Sequence, residues 1–113
     1  MTPFTEKRPW GEFRQFTLNE PVTVKTILVK KGEALSLQNH HLRTEFWKII
    51  SGHPEVTIGE KIFSAKAGDE FTVGIKTNHK IEAPKDEVLL LEISSGEFKE
   101  DDIVRLSDKY GRA

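Results

Sequence analysis

Residues 35–52 read LSLQNHHLRTEFWKIISG, and this stretch decides the fold. Two of the chain's four histidines stand side by side in it, next to an arginine. Gln38 and His40 are two positions apart, so on a strand both side chains point to the same face. His41 to Thr44 leave room for the chain to turn. Glu45 then opens a second strand, with Trp47 and Ile49 on its face. Much later His79 opens HKIEAP and shares its face with Ile81, while Lys80 and Glu82 point away. An amide oxygen, two imidazoles and a carboxylate are thereby directed into a small β structure. Buried without partners, Glu45 and the two histidines would be costly. A divalent cation satisfies them together, and mixed nitrogen and oxygen donors suit first-row metals. Such a set leaves positions open for water or substrate. The same spacing also allows His40 and His79 to lie far apart, each capping a loop. His41 alternates with His40 and is expected to be exposed or to support the ligands from behind. His53, between Gly52 and Pro54, reads as a solvated loop histidine.

Outside that stretch the apolar pattern is strand-like, with a period of two. VTVKTILVKKGE is rich in β-branched residues and ends at Gly32, and EVTIGEKIF reads as two strands around Gly59-Glu60. AKAGDEFTVG carries a turn at Gly68-Asp69 before another strand. EVLLLEISSG is apolar on both faces, which calls for cover on both sides, from the N-terminal segment or from a second subunit. A homodimer is one expectation from this. Many short strands separated by glycine turns predict an all-β sandwich or barrel. In the tail, Ile103 and Leu106 have the spacing of one helical turn, and Asp101 and Asp102 read as a helix or turn start whose carboxylates cap free amides.

A chain of 113 residues has the size of one domain, here 1–113, with a single core. Its formal net charge of −1 provides no polybasic surface for nucleic acid or anionic lipid. Cysteine is absent, so neither disulfides nor thiolate ligands contribute. The opening MTPFTEKRPWGEF lacks the apolar core of a signal peptide. No apolar run reaches the length that spans a membrane. The cytoplasm is the expected location.

Gly32, Gln38, His40, Glu45 and Gly52 reproduce the spacing of the first cupin motif, and a second motif runs from Gly68 to His79. The chain therefore resembles the cupins, which implies a jelly-roll β-barrel with one divalent metal ion held by Gln38, His40, Glu45 and His79. Zinc leads among the metals the resemblance allows, followed by iron, manganese and nickel. RPWGEF, LSLQNHHLRTEFW and EDDIVRLSDKYGR further resemble signatures of the type II phosphomannose isomerase domain, in which glutamine at the first ligand position is typical. In larger bifunctional members this domain follows a guanylyltransferase domain, so the resemblance implies the isomerase half alone. Gly74 and Lys76 replace a usual proline and glycine of the second motif, and Ala83 replaces its closing asparagine. Leu42 and Phe46 stand at positions often occupied by histidine. These departures are expected to alter the polar lining of the pocket.

What the resemblance implies is interconversion of mannose 6-phosphate and fructose 6-phosphate through a cis-enediol. Arg43 matches a position associated with isomerase activity; its planar, always-charged fork suits an enediolate or a phosphate. Phosphate recognition is expected from Lys25, Arg105 and Arg112, and Trp10 is expected to stack on the sugar or plug the barrel end. His41, Glu12 and Lys25 are the candidates for the proton-transfer base. Two other functions fit the same fold: a noncatalytic cupin binding a sugar or small ligand, and a different metal-dependent cupin enzyme such as an iron oxygenase.

Overall fold

The computed structural model describes residues 2–99 and 101–107. Among the described residues eleven strands are formed: β1 (Phe4–Arg8), β2 (Gly11–Gln15), β3 (Val22–Val29), β4 (Leu37–Asn39), β5 (Arg43–Ser51), β6 (Glu55–Ile58), β7 (Lys61–Ser64), β8 (Glu70–Val73), β9 (His79–Glu82), β10 (Val88–Gly96) and β11 (Val104–Ser107). Among the described residues there is no helix, hence none long and apolar enough to cross a membrane. All pairings are antiparallel. One sheet has the order β3-β10-β5-β8 and a second the order β11-β4-β9-β6-β7, while β1 and β2 form a separate hairpin.

The core follows from alternation. On β5, Trp47 and Ile49 face inward, meeting Val56, Ile81, Val88 and Leu90 from neighbouring strands, all 2% exposed or less. Emptying such a position, as in Trp47→Ala, costs about 3–5 kcal/mol because the cavity does not close. The same inward face changes character along its length. Beyond Trp47 on β5 come Glu45 and Arg43, and beyond Leu90 on β10 come Glu92 and Ser94, all of them buried. One end of the sandwich is thus filled with apolar side chains and the other with polar ones.

Two glycines permit close approaches at opposite ends of β5. Gly52 adopts a φ of 90°, and a Cβ there would collide with the Glu87 carbonyl and the Val88 backbone. Gly96, at φ 112°, lies against the Leu42 carbonyl and the Arg43 Cα, so the end of β10 passes directly beside the residues that follow His40.

The strands expected from VTVKTILV, EFWKIIS, EVTI, KIF, EFTV, HKIE and VLLLEISSG are all formed. Two segments differ from expectation. The tail forms no helical turn: Val104–Ser107 extends as β11 and pairs with β4, whose other neighbour is β9. An edge strand's free amides outweigh a weak helical spacing. Phe4–Gln15, legible in the sequence only as a charged N-terminal segment, forms the β1–β2 hairpin. Cover on the outer face of β10 is divided. The Phe16 ring packs on Phe46 at 5.4 Å between centroids, where Phe46 and its neighbour Ile93 are buried. On the adjacent edge strand β3 the same face leaves Val24, which pairs with Ile93, and Leu28, which pairs with Leu89, 57% and 54% exposed.

Candidate metal centre

Inward-facing positions of β5 and β9, together with the residue following β4, bring His40, Glu45 and His79 together. One ligand atom from each lies within 4.8 Å of the others, and all three residues are buried. Glu45 Oε1 is 3.3 Å from His79 Nε2 and 3.7 Å from His40 Nε2. Ligands about 2.1 Å from a metal stand about 3.0–3.4 Å apart, so the triad is close to coordinating spacing. The His79 Nε2 atom is buried and has no hydrogen-bond partner among the described residues.

Backbone contacts fix both tautomers. His79 Nδ1 donates to the Thr77 carbonyl at 2.9 Å, and His40 Nδ1 donates to the Asp102 carbonyl at 2.7 Å. In each ring the Nε2 lone pair is therefore the one aimed into the site, the arrangement that second contacts impose on metal-binding histidines. Burial, the larger effect, drives the His79 pKa down to about 4 and lowers that of His40. Both imidazoles are neutral near pH 7, as ligation requires. Burial, followed by a hydrogen bond and charge from Glu92, pushes Glu45 up to about 8. A buried carboxyl raised this far is one that a cation would ionise, and the donor set fits a divalent metal.

Gln38 pairs with His79 across β4 and β9, so their side chains share a face. Its Oε1 accepts from Ser36 Oγ at 3.0 Å. Arg43 is 7% exposed and bridges two members of the triad: Nη2 donates to His40 Nε2 at 3.2 Å, and Nε lies 3.6 Å from Glu45 Oε2. A cavity of about 200 Å³ opens beside these groups, lined by Lys25, Gln38, His40, Arg43, Glu45, Glu92 and Arg105 among others. The Lys25 ammonium and the Arg43 guanidinium each sit 4.1 Å from the Phe98 ring centroid, which ties both cations to the wall.

The structure places the other sequence candidates as follows. Lys25 and Arg105 reach the cavity; Arg112 lies outside the described residues. Trp10 does not reach it. The residue sits in the β1–β2 turn at 73% exposure, neither plugging the barrel nor near the triad. Glu12, on the exposed hairpin, is likewise absent from the cavity wall. His41 is exposed, with its backbone N–H donating to Asp102 Oδ1 at 3.0 Å. His53 is exposed too, paired with Asp86 at 2.7 Å. The Asp102 carboxylate does cap free amides, those of His41 and Leu42, although no helix begins there.

The departures from the cupin motifs spare the pocket lining, contrary to expectation. Phe46 turns to the outer face against Phe16, Leu42 is 43% exposed, and Ala83 is core. None of these, nor Gly74 or Lys76, lines the cavity. Lys76 instead takes φ 59°, the left-handed conformation that glycine favours. Glu92 is a cavity residue that sequence reasoning misses. It faces the cavity from β10, accepts a hydrogen bond from Ser94 Oγ at 3.0 Å and contacts Glu45. A lone glutamate within the apolar VLLLEI is the signal that could have found it.

The chain matches a family model described as mannose-6-phosphate isomerase C-terminal, over residues 3–108. It is 40% identical over 107 residues to the xanthan biosynthesis protein XanB of Xanthomonas campestris, and 45% identical over 109 residues to a mannose-1-phosphate guanylyltransferase of Salmonella montevideo. Each alignment covers 93% of this chain but only 23% of the relative. Among solved structures it is similar to an RmlC-like cupin from Shewanella frigidimarina (TM-score 0.64, 22% identity, 80% of this chain and 75% of that one). It is also similar to a double-stranded β-helix protein from Klebsiella pneumoniae (TM-score 0.67, 15% identity, 83% and 90%). Those likenesses show a cupin fold. With nearly its whole length matched, the chain belongs to the mannose-6-phosphate isomerase C-terminal family.

Proposed function

We propose that this protein is a metal-dependent aldose–ketose isomerase that interconverts mannose 6-phosphate and fructose 6-phosphate. The observation that carries the reading is the juxtaposition of the His40–Glu45–His79 triad with a cavity whose wall holds Lys25, Arg43 and Arg105. The description of the matched family supports it, as does the guanylyltransferase name of a relative that acts on a mannose phosphate. A divalent metal held by His40, Glu45 and His79, with Gln38 beside them, supplies Lewis acidity for substrate oxygens.

The remaining chemistry belongs to the chain. Lys25 and Arg105 bind the phosphate dianion at the cavity wall. With Glu45 committed to the metal, Glu92 is the carboxylate left to move the proton. It takes the proton from C2 of the open-chain aldose; the freed electron pair forms the C1–C2 double bond, and the carbonyl pair moves onto O1. Arg43 stabilises that oxyanion. A proton passes from O2 to O1, the O2 pair closes the C2 carbonyl, and Glu92 returns its proton to C1. Phe98 shields the cationic side of the cavity from water.

The departures from the cupin motifs lie away from the cavity, so they do not argue against turnover. A coupled assay for mannose 6-phosphate conversion, on metal-loaded and chelator-treated protein, tests the proposal. Turnover that vanishes with the metal and returns on its addition is expected. Metal-bound protein without turnover would shift the assignment to a sugar-binding cupin. Turnover of another substrate that requires oxygen would shift it to an oxygenase.

A further inference from the structure

Glu92 reaches the cavity on a long, flexible side chain, from a β10 position that pairs with Lys25 of β3 and Trp47 of β5. Two residues further on, Ser94 points to the same face of the strand. It pairs with Glu45 and is 1% exposed, yet it is absent from the cavity lining. Its Oγ donates to Glu92 Oε1 at 3.0 Å. Substrate in the cavity does not touch Ser94, so whatever the serine does for the reaction passes through Glu92. An alanine would fill the same buried position with no polar group to satisfy. The hydroxyl is therefore a costly choice unless its hydrogen bond is used.

A base that removes a proton at C2 and returns it at C1 serves two carbons about 1.5 Å apart. It has to be held in place and still be able to turn. Resting on the isomerase reading, we propose that Ser94 is the positioning residue of that base: its hydroxyl pins one oxygen of Glu92, and the carboxylate swings between C2 and C1 about that fixed point. Two observations assign the task to Ser94. Glu92 contacts Glu45, the residue directly across from Ser94. When both carboxylates are ionised they repel, and a neutral donor fixed to the strand keeps Glu92 where it is. The facing sheet uses the same device for Gln38. There Ser36, 4% exposed and two positions earlier in the chain, donates from Oγ to Gln38 Oε1 at 3.0 Å. Misplacing a reacting group by about 1 Å costs about 10²-fold in rate. Loss of the anchor is consequently felt in kcat, while the phosphate contacts of Lys25 and Arg105 that set KM stay intact.

Steady-state kinetics with mannose 6-phosphate are measured on the full chain loaded with divalent metal. The proteins are wild type, Ser94→Ala, Glu92→Gln, the double variant, and Ser95→Ala, whose side chain lies on the opposite face of β10. Ser94→Ala is expected to lower kcat about 10–100-fold, with KM, metal content and far-UV spectrum unchanged. Ser94→Cys, which keeps the volume and offers only a weak donor, should lose kcat as well. In the Glu92→Gln background the Ser94→Ala change should be silent, because the group it positions no longer carries a proton. Ser95→Ala should match wild type. Ser94→Ala with wild-type kcat overturns the assignment. So does an equal loss in both backgrounds, or a matching loss in Ser95→Ala, either of which would make the serine a structural support only. A wild type that holds metal and converts no mannose 6-phosphate overturns the isomerase reading and this one with it, so the wild-type rate tells the two failures apart.

Discussion

Glu45 Oε1 and His79 Nε2 face each other across 3.3 Å of buried space, each presenting a lone pair. Thr77 holds the histidine proton on the far nitrogen, so something positive must lie between the two atoms. A proton on Glu45 meets that need, and so does a metal ion. Replacing His79 or His40 with alanine is expected to abolish metal retention while the strands persist. Metal content after gel filtration, read beside the far-UV spectrum, checks this; full occupancy in both variants would remove them from the ligand set.

The competition between proton and metal is visible in pH dependence. Without added metal, the folded-state pKa of Glu45, about 8, lies above its usual 4.5. The folded protein then holds a proton that the unfolded chain has released, and stability falls as pH rises through 8. His79, lowered to about 4 from 6.5, acts oppositely but only below 6.5. Between pH 6.5 and 8 the Glu45 effect stands alone, with a limiting slope of about 1.4 kcal/mol per pH unit. Saturating divalent metal should flatten or reverse it. Chelator-treated protein whose thermal midpoint rises across this window would contradict the assignment.

Arg43 donates to the same His40 lone pair that a metal would use. Arg43→Ala is therefore expected to leave metal affinity unchanged or higher, while kcat falls about a hundredfold through loss of oxyanion stabilisation. Titration calorimetry and steady-state kinetics on one preparation separate the two effects. A variant with weakened metal binding and normal turnover would make Arg43 a support for the metal rather than for the oxyanion.

Glu92→Gln keeps the volume and the contact with Ser94 but cannot carry the proton. Turnover should drop by about 10²–10³, and exchange of solvent deuterium into C1 and C2 of the sugars should drop with it, at unaltered metal content. Exchange at the wild-type rate would show that another group moves the proton.

Lys76 occupies a backbone conformation that costs a side chain about 1–2 kcal/mol. Its amide donates to the His40 carbonyl at 2.6 Å, so the strain adjoins the ligand loop. Lys76→Gly removes it, offset by greater freedom in the unfolded chain. A net gain of about 0.5–1 kcal/mol is expected in urea denaturation, and a loss would mean that the lysine side chain supports the turn.

Period-two alternation is enough to read β5, β9 and β10, because each has one face committed to the core. It also places Glu45 and His79 correctly, since a strand leaves only two directions for a side chain. The hairpin escapes the pattern because Phe4 and Phe13 are its only well-spaced apolar residues and β1 is exposed throughout. Analogy with histidines elsewhere assigns Phe46 to the pocket, yet parity with Glu45 sends it outward. Glu92 is legible as a charge in an apolar strand. Its nearness to Glu45, however, depends on β10 lying beside β5, a long-range pairing that no local pattern contains.

Asp102 makes three contacts with the ligand loop: its carbonyl receives the His40 ring, and its carboxylate receives the amides of His41 and Leu42. Roughly half the chain separates it from these partners, most of it β structure. During synthesis, His40, Glu45 and His79 all emerge from the ribosome before the residue that sets the His40 tautomer. A nascent chain can therefore close its apolar core first, and the His40 ring is fixed only when Asp102 and the strand that follows it dock.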